Sequence, residues 1–133
     1  MTNSPRKILI VDDEASIRDS LRLLLRGNFE VNTAQDGLEA LAIIDDFKPD
    51  LILLDVIMPK LDGLETLRQI RERDIDIPVI MLTTSSSQKD IDMAYDNGAS
   101  GFITKPSDVN EFLTSVTSVV NFWISKIKNT GNQ

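Results

Sequence analysis

A chain of 133 residues with 41% hydrophobic content is long enough for one domain with its own core and too short for two of ordinary size. Fourteen Lys and Arg against 21 Asp and Glu leave a formal charge of −7, which argues against a nucleic-acid or anionic-membrane partner, because phosphate surfaces need clustered cations. Cysteine and histidine are absent, so no disulfide holds the fold and the commonest general base and metal ligand is missing. The N-terminal residues lack the apolar core of a signal peptide and no apolar run approaches membrane-spanning length, so the expectation is a soluble cytoplasmic protein.

Residues 1–5 are expected to be disordered, 6–127 to form the domain, and 128–133 to be a frayed tail. Lys7-Ile-Leu-Ile-Val-Asp12 reads as a buried strand ending in a doubled acid, Asp12-Asp13. Glu14 to Arg26 carries Ile17, Leu21, Leu24 and Leu25 at helical spacing, with acid at its start and Gly27 as its C-cap. Phe29 to Ala34 alternates as an edge strand would, and Asp36-Gly37 reads as a turn. Leu38, Leu41, Ala42, Ile44 and Phe47 predict a second helix, stopped by Lys48-Pro49. Leu51 to Leu54 is a continuous aliphatic run into Asp55, the signature of a strand buried on both faces. Lys60 to Gly63 then turns into a helix carried by Leu64, Leu67 and Ile70. Pro78 to Thr83 is a fourth strand that ends in hydroxyls, and Ser85 to Ser87 forms a polar loop before a helix from about Gln88 to Asn97, stopped by Gly98. Gly101 to Thr104 is a short fifth strand ahead of Lys105-Pro106, and Asp108 caps a last helix reaching about Ile127.

Five strands alternating with five helices predict an α/β fold with parallel strands and right-handed crossovers. The specific expectation is a flavodoxin-like doubly wound five-stranded sheet, order 2-1-3-4-5, with its switch point between strands one and three. Ligands bind at the carboxyl edge of such sheets, so Asp12, Asp13, Asp55, Thr83 and Lys105 converge there. Three carboxylates in one pocket repel one another unless a cation lies among them, and an oxygen-only ligand set favours Mg²⁺. Lys105 supplies a point charge for a phosphoryl oxygen and Thr83 a hydroxyl donor. Asp55 itself can accept a phosphoryl group as an aspartyl phosphate, chemistry that needs no histidine. Singly, each residue has a plainer explanation: helix-start acids at Asp13 and Glu14, a turn residue at Asp55, a satisfied hydroxyl at Thr83, a solvated lysine at Lys105. It is their joint arrival at four strand ends that points to a site.

The segments Ile8 to Glu14, Leu53 to Gly63, Met81 to Thr83 and Thr104 to Pro106 resemble the receiver domain of two-component response regulators, over roughly residues 6 to 127. That resemblance implies that Asp55 is the phospho-acceptor for a histidine kinase or phosphotransfer protein. It implies Mg²⁺ held directly by Asp13, Asp55 and the backbone carbonyl of Ile57, with Asp12 helping, typically through water. It further implies Lys105 on the phosphoryl group, a cis bond to Pro106, and a switch in which Thr83 moves onto the phosphoryl oxygen while Phe102 rotates inward. Two positions depart from the family's habit: Thr84 is larger than the very small residue usual after the switch hydroxyl, and Ile57 is aliphatic where a polar side chain is more usual. An aliphatic Ile57 would shield an acyl phosphate from water, implying a long-lived phosphoryl state.

On the last helix Val109, Phe112, Leu113, Val116, Val119, Val120, Trp123, Ile124 and Ile127 form one apolar stripe, with Phe122 outside it. Phe122 and Trp123 either cover the bottom of the sheet or form a partner or self-association patch. The segments Asp90 to Tyr95, Phe102 to Pro106 and Asn121 to Ile124 more weakly resemble stand-alone receivers associated with bacterial phytochrome kinases, which implies a homodimer through that end. The overall expectation is a stand-alone signalling phospho-acceptor rather than an enzyme. An aspartyl phosphatase would want a second Asp two residues after Asp55, where this chain has Ile57. A receiver-like domain that is never phosphorylated would be expected to have lost an acidic-pocket residue, and none is lost.

Overall fold

The computed structural model describes residues 5–56, 58, 61–73, 76–84, 87–105 and 108–131, the side chains of 128–131 excepted. Its strands are β1 (Lys7–Val11), β2 (Glu30–Ala34), β3 (Leu51–Asp55), β4 (Val79–Thr83) and β5 (Gly101–Thr104). The helices between and after them are α1 (Ala15–Leu25), α2 (Gly37–Phe47), α3 (Gly63–Glu72), α4 (Gln88–Asp96) and α5 (Val109–Gly131). All strand pairings are parallel and the order is β2-β1-β3-β4-β5, as the alternation of elements predicts. The expected disorder of residues 1–4 lies outside the described residues, whereas Arg6 pairs with Asp50 at 3.7 Å. Helix α5 continues to Gly131, beyond the expected limit at Ile127.

Every residue of β3 and β4 is buried, because helices cover both faces of the sheet. Successive strand residues point to opposite sides, and the core splits accordingly. Leu9, Val11, Ile52, Leu54, Val79 and Met81 face α2, α3 and α4. Ile8, Ile10, Leu51, Leu53, Ile80 and Leu82 face α1 and α5 through Leu21, Leu25, Phe112, Val116 and Val120. Burying such a side chain contributes roughly 1.5–3 kcal/mol, so the two half-cores dominate stability.

Side-chain caps convert the loops after the strands into helix starts. Asp36 Oδ1 accepts from Glu39 N at 2.9 Å, and Asp62 Oδ1 from Glu65 N at 2.9 Å. Ser87 Oγ accepts from Asp90 N at 3.2 Å, and Asp108 Oδ1 from Asn110 N at 2.9 Å. Asp36-Gly37 is therefore the start of a helix rather than a free turn, and Glu39 Oε1 reaches back to Gln35 N at 2.7 Å. At the opposite, amino edge of the sheet, Arg71 of α3 donates to the Gly98 carbonyl at 2.9 Å, tying down the turn that leads into β5.

Several expectations about faces and ends are corrected. Leu38 and Ala42 are exposed, and α2 instead buries Gly37, Ala40, Leu41 and Ile44, because its phase is set by contact with α3 rather than by counting apolar residues. Gly37 sits where a Cβ would come within 2.0 Å of Thr66 Oγ1. Val109 begins α5 exposed, before the helix has reached the sheet. Gly27 is not a left-handed cap; α1 closes on Arg26 in right-handed geometry. The left-handed cap belongs to Lys48 (φ 53°), whose N–H donates to Ile44 O at 2.9 Å, since Pro49 disfavours right-handed geometry there.

These placements separate two glycines. Gly37→Ala should lower unfolding stability in urea by about 1–3 kcal/mol through overpacking against Thr66 and the Leu61 carbonyl. Gly27→Ala, with nothing within 4 Å of the added Cβ, should be neutral or stabilising by about 0.5 kcal/mol.

Candidate functional site at the sheet's carboxyl edge

The site begins where the parallel ladder runs one residue past the strands. Asp12 N donates to Ala34 O at 3.1 Å, Val56 N to Leu82 O at 2.9 Å and Lys105 N to Thr83 O at 2.6 Å. Each loop thus leaves the sheet with its first backbone amide already held, so the side chains there start from fixed positions. Val11 pairs with Leu54, which places Asp12 beside Asp55, whereas Lys105 follows a strand separated from β3 by β4 and meets the acids only by the reach of its side chain.

Carboxylate oxygens of Asp12, Asp13 and Asp55 all lie within 4.8 Å of one another. Asp12 is fully buried, Asp55 nearly so, and Asp13 is exposed. Lys105 reaches into this group from the other end of the chain. Its Nζ lies 2.7 Å from Asp12 Oδ2, 3.5 Å from Asp55 Oδ1 and 3.7 Å from Glu14 Oε1. The second Asp12 oxygen accepts from Glu14 N at 2.9 Å, and Arg18 Nη1 donates to the Asp12 carbonyl at 2.7 Å. Burial pushes the Lys105 ammonium down, but the hydrogen bond and charge of Asp12, then the charges of Asp55 and Glu14, outweigh it and its pKa is raised.

A mainly apolar cavity on the α3 and α4 side of the sheet has Val56, Met81, Thr83, Asp90, Ile91 and Phe102 in its lining. Thr83 and Phe102 therefore share one space. The Phe102 ring meets Tyr95 edge-on, with centroids 6.4 Å apart. Thr84, next along, is exposed. Gly63 closes the loop after Asp55: its N–H donates to Val56 O at 2.8 Å, and a Cβ there would lie 2.1 Å from the Asp55 carbonyl.

The structure brings together Asp12, Asp13, Asp55 and Lys105, and Thr83 meets Lys105 through its backbone carbonyl. Ile57, and with it the expected carbonyl ligand, lies outside the described residues, as do Pro106 and its expected cis bond. Sequence reasoning gave Glu14 only a helix-start role. Its approach to Lys105 joins opposite ends of the chain, and no local pattern announces it.

The response regulator receiver domain family model matches residues 8–117. The chain belongs to the response regulator receiver family. The receiver is 41% identical over 117 residues to the response regulator MprA of Mycobacterium sp. (strain KMS), covering 87% of this chain and 51% of that protein. It spans about half the length of the curated relatives it matches. Among solved structures it resembles chemotaxis protein CheY4 of Vibrio cholerae (34% identity, TM-score 0.78, covering 87% of this chain and 99% of that one). It also resembles a chain of the CheX–CheY–BeF3–Mg²⁺ complex of Borrelia burgdorferi (33% identity, TM-score 0.77, covering 88% and 90%). No helix among the described residues is long and apolar enough to cross a membrane.

The electrostatics of the receiver's pocket predict an alkaline limit to stability. The Lys105 pKa is raised on folding, so its contribution is complete below the ordinary lysine value of 10.5 and lost as pH rises through the folded value. Lys105→Met should cost about 1–3 kcal/mol at neutral pH by stranding buried Asp12, and should flatten the stability decline measured above that pH.

Proposed function

We propose that this receiver accepts a phosphoryl group on Asp55 in a Mg²⁺-dependent reaction, taking it from a histidine kinase or phosphotransfer protein. The observation that carries the reading is a nearly buried Asp55 carboxylate 3.5 Å from the Lys105 ammonium, inside a cluster of three carboxylates. An Asp55 oxygen forms the new bond to phosphorus, while the bond from phosphorus to the donor's nitrogen or oxygen breaks and its electron pair leaves with the donor. Lys105 holds a phosphoryl oxygen, and Thr83, in the lining of the apolar cavity, donates its hydroxyl to another. Phe102, lining the same cavity, is the side chain whose position would report that movement.

Asp12, Asp13 and Asp55 would hold the cation, with the Ile57 carbonyl as the further expected ligand. Oxygen-only donors, one of them exposed to solvent, suit Mg²⁺, which keeps some of its waters. Bound there, the ion supplies positive charge against the carboxylates and phosphoryl oxygens. The whole is a signalling module that catalyses only its own phosphorylation and dephosphorylation and, in the cytoplasm, relays the group or switches partners. An aliphatic Ile57 supports a long phosphoryl lifetime.

Incubation with Mg²⁺ and a small acyl phosphate should add one phosphoryl mass to the intact protein. Asp55→Asn should abolish that addition, and wild type that gains no mass would overturn the assignment. Mg²⁺ at ten times its dissociation constant should raise unfolding stability by about 1.4 kcal/mol, and Asp13→Asn should remove most of that gain. A homodimer through the end of α5 is supported by Phe122, which is exposed and stacked edge-on against Trp123 with centroids 5.6 Å apart. Sedimentation at tens of micromolar with beryllofluoride should then show a dimer that Phe122→Ser disperses.

A further inference from the structure

Three carboxylates face the Lys105 ammonium, and they are not equivalent. Asp12, at 2.7 Å, is wholly buried and is held by the Glu14 amide as well as by the lysine. Asp55, at 3.5 Å, has a side chain only 8% exposed. Glu14, at 3.7 Å, is 60% exposed. Only Glu14 can leave the lysine without stranding a desolvated charge, because water takes over its solvation at once. Its backbone is fixed independently of that contact: its N–H donates to Asp12 and its carbonyl opens α1 by accepting from Arg18 N at 3.1 Å. The side chain makes no cap hydrogen bond to the helix start, so its carboxylate is not held by α1.

Resting on the phosphoryl-acceptor reading, we propose that Glu14 is a displaceable counter-ion that occupies Lys105 until an anionic donor takes its place, and so sets the donor affinity of the site. The incoming phosphoryl oxygens need the same ammonium. Each binding event must therefore break the Glu14 contact and bring a second negative charge past it. Glu14 acts through Lys105 and touches neither the phosphorus nor the attacking oxygen, which makes it a positioning residue. Its effect belongs in binding, not in the transfer step. A small anionic donor meets this penalty in full.

The test is the phosphorylation rate of intact protein at saturating Mg²⁺ against concentration of a small acyl phosphate, for wild type, Glu14→Gln and Glu14→Lys. At low salt the KM should fall about two- to fivefold in Glu14→Gln, the range of an exposed ion pair, and further in Glu14→Lys, while the maximal rate stays within about twofold. The differences should narrow at about 0.5 M salt, where screening weakens exposed charge contacts. A KM indifferent to charge at position 14, or a change confined to the maximal rate, would overturn the proposal while leaving Asp55 as acceptor. Wild type that takes up no phosphoryl group under any of these conditions would overturn the acceptor reading and this inference together.

Discussion

Everything at the carboxyl edge of the sheet depends on one ammonium group placed among acids. Asp12 and Asp55 leave neighbouring strands and cannot avoid each other, because the register that pairs Val11 with Leu54 sets their backbones side by side. The carboxylates so placed tolerate burial because Lys105 arrives between them, at 2.7 Å from one and 3.5 Å from the other. The lysine in turn is placed by the shortest strand of the sheet. Its own amide is tied to Thr83, and the turn before that strand is held by Arg71. A single pair of this kind contributes little net stability once desolvation is counted. Its importance lies in holding negative charge ready at low cost.

The same economy explains why the chemistry is gathered at one edge. Parallel strands place all their carboxyl ends on one side, and the covering helices consume the two faces, so the loops at that side are where polar side chains can meet. Immediately after Asp55 the chain turns apolar at Val56, which lines the cavity shared by Thr83 and Phe102. Thr83 and Phe102 both line that cavity, so a move of either side chain changes the space the other fills.

What the residues announce in advance is whatever local chemistry controls. The buried runs ending in Asp12, Asp55 and Thr83 are legible because a strand covered on both faces must be continuously apolar, so its polar end stands out. The stop at Gly98 is legible because its φ of 102° is open mainly to glycine. Faces are less so: Leu38 is an apolar residue left in solvent, and Thr66 is a polar one buried with its hydroxyl donating to the Asp62 carbonyl at 2.7 Å. Helix phase against a sheet is settled by the neighbours it meets, here the close approach of Gly37 to Thr66, which neither residue signals alone.

The sequence by itself determined the alternation of strands and helices, the strand order, and the acids, hydroxyl and lysine that end the strands, because hydrophobic period and chain connectivity are local properties. Only the tertiary structure decided which of those acids are buried, that Lys105 lies near Asp12, Asp55 and Glu14 at once, and that of these three Glu14 is the exposed one. Distances between residues 93 positions apart, such as Asp12 and Lys105, follow from closure of the whole sheet. Solvent exposure likewise follows from what packs above each side chain, and it is exposure that separates a fixed counter-ion from one that can leave.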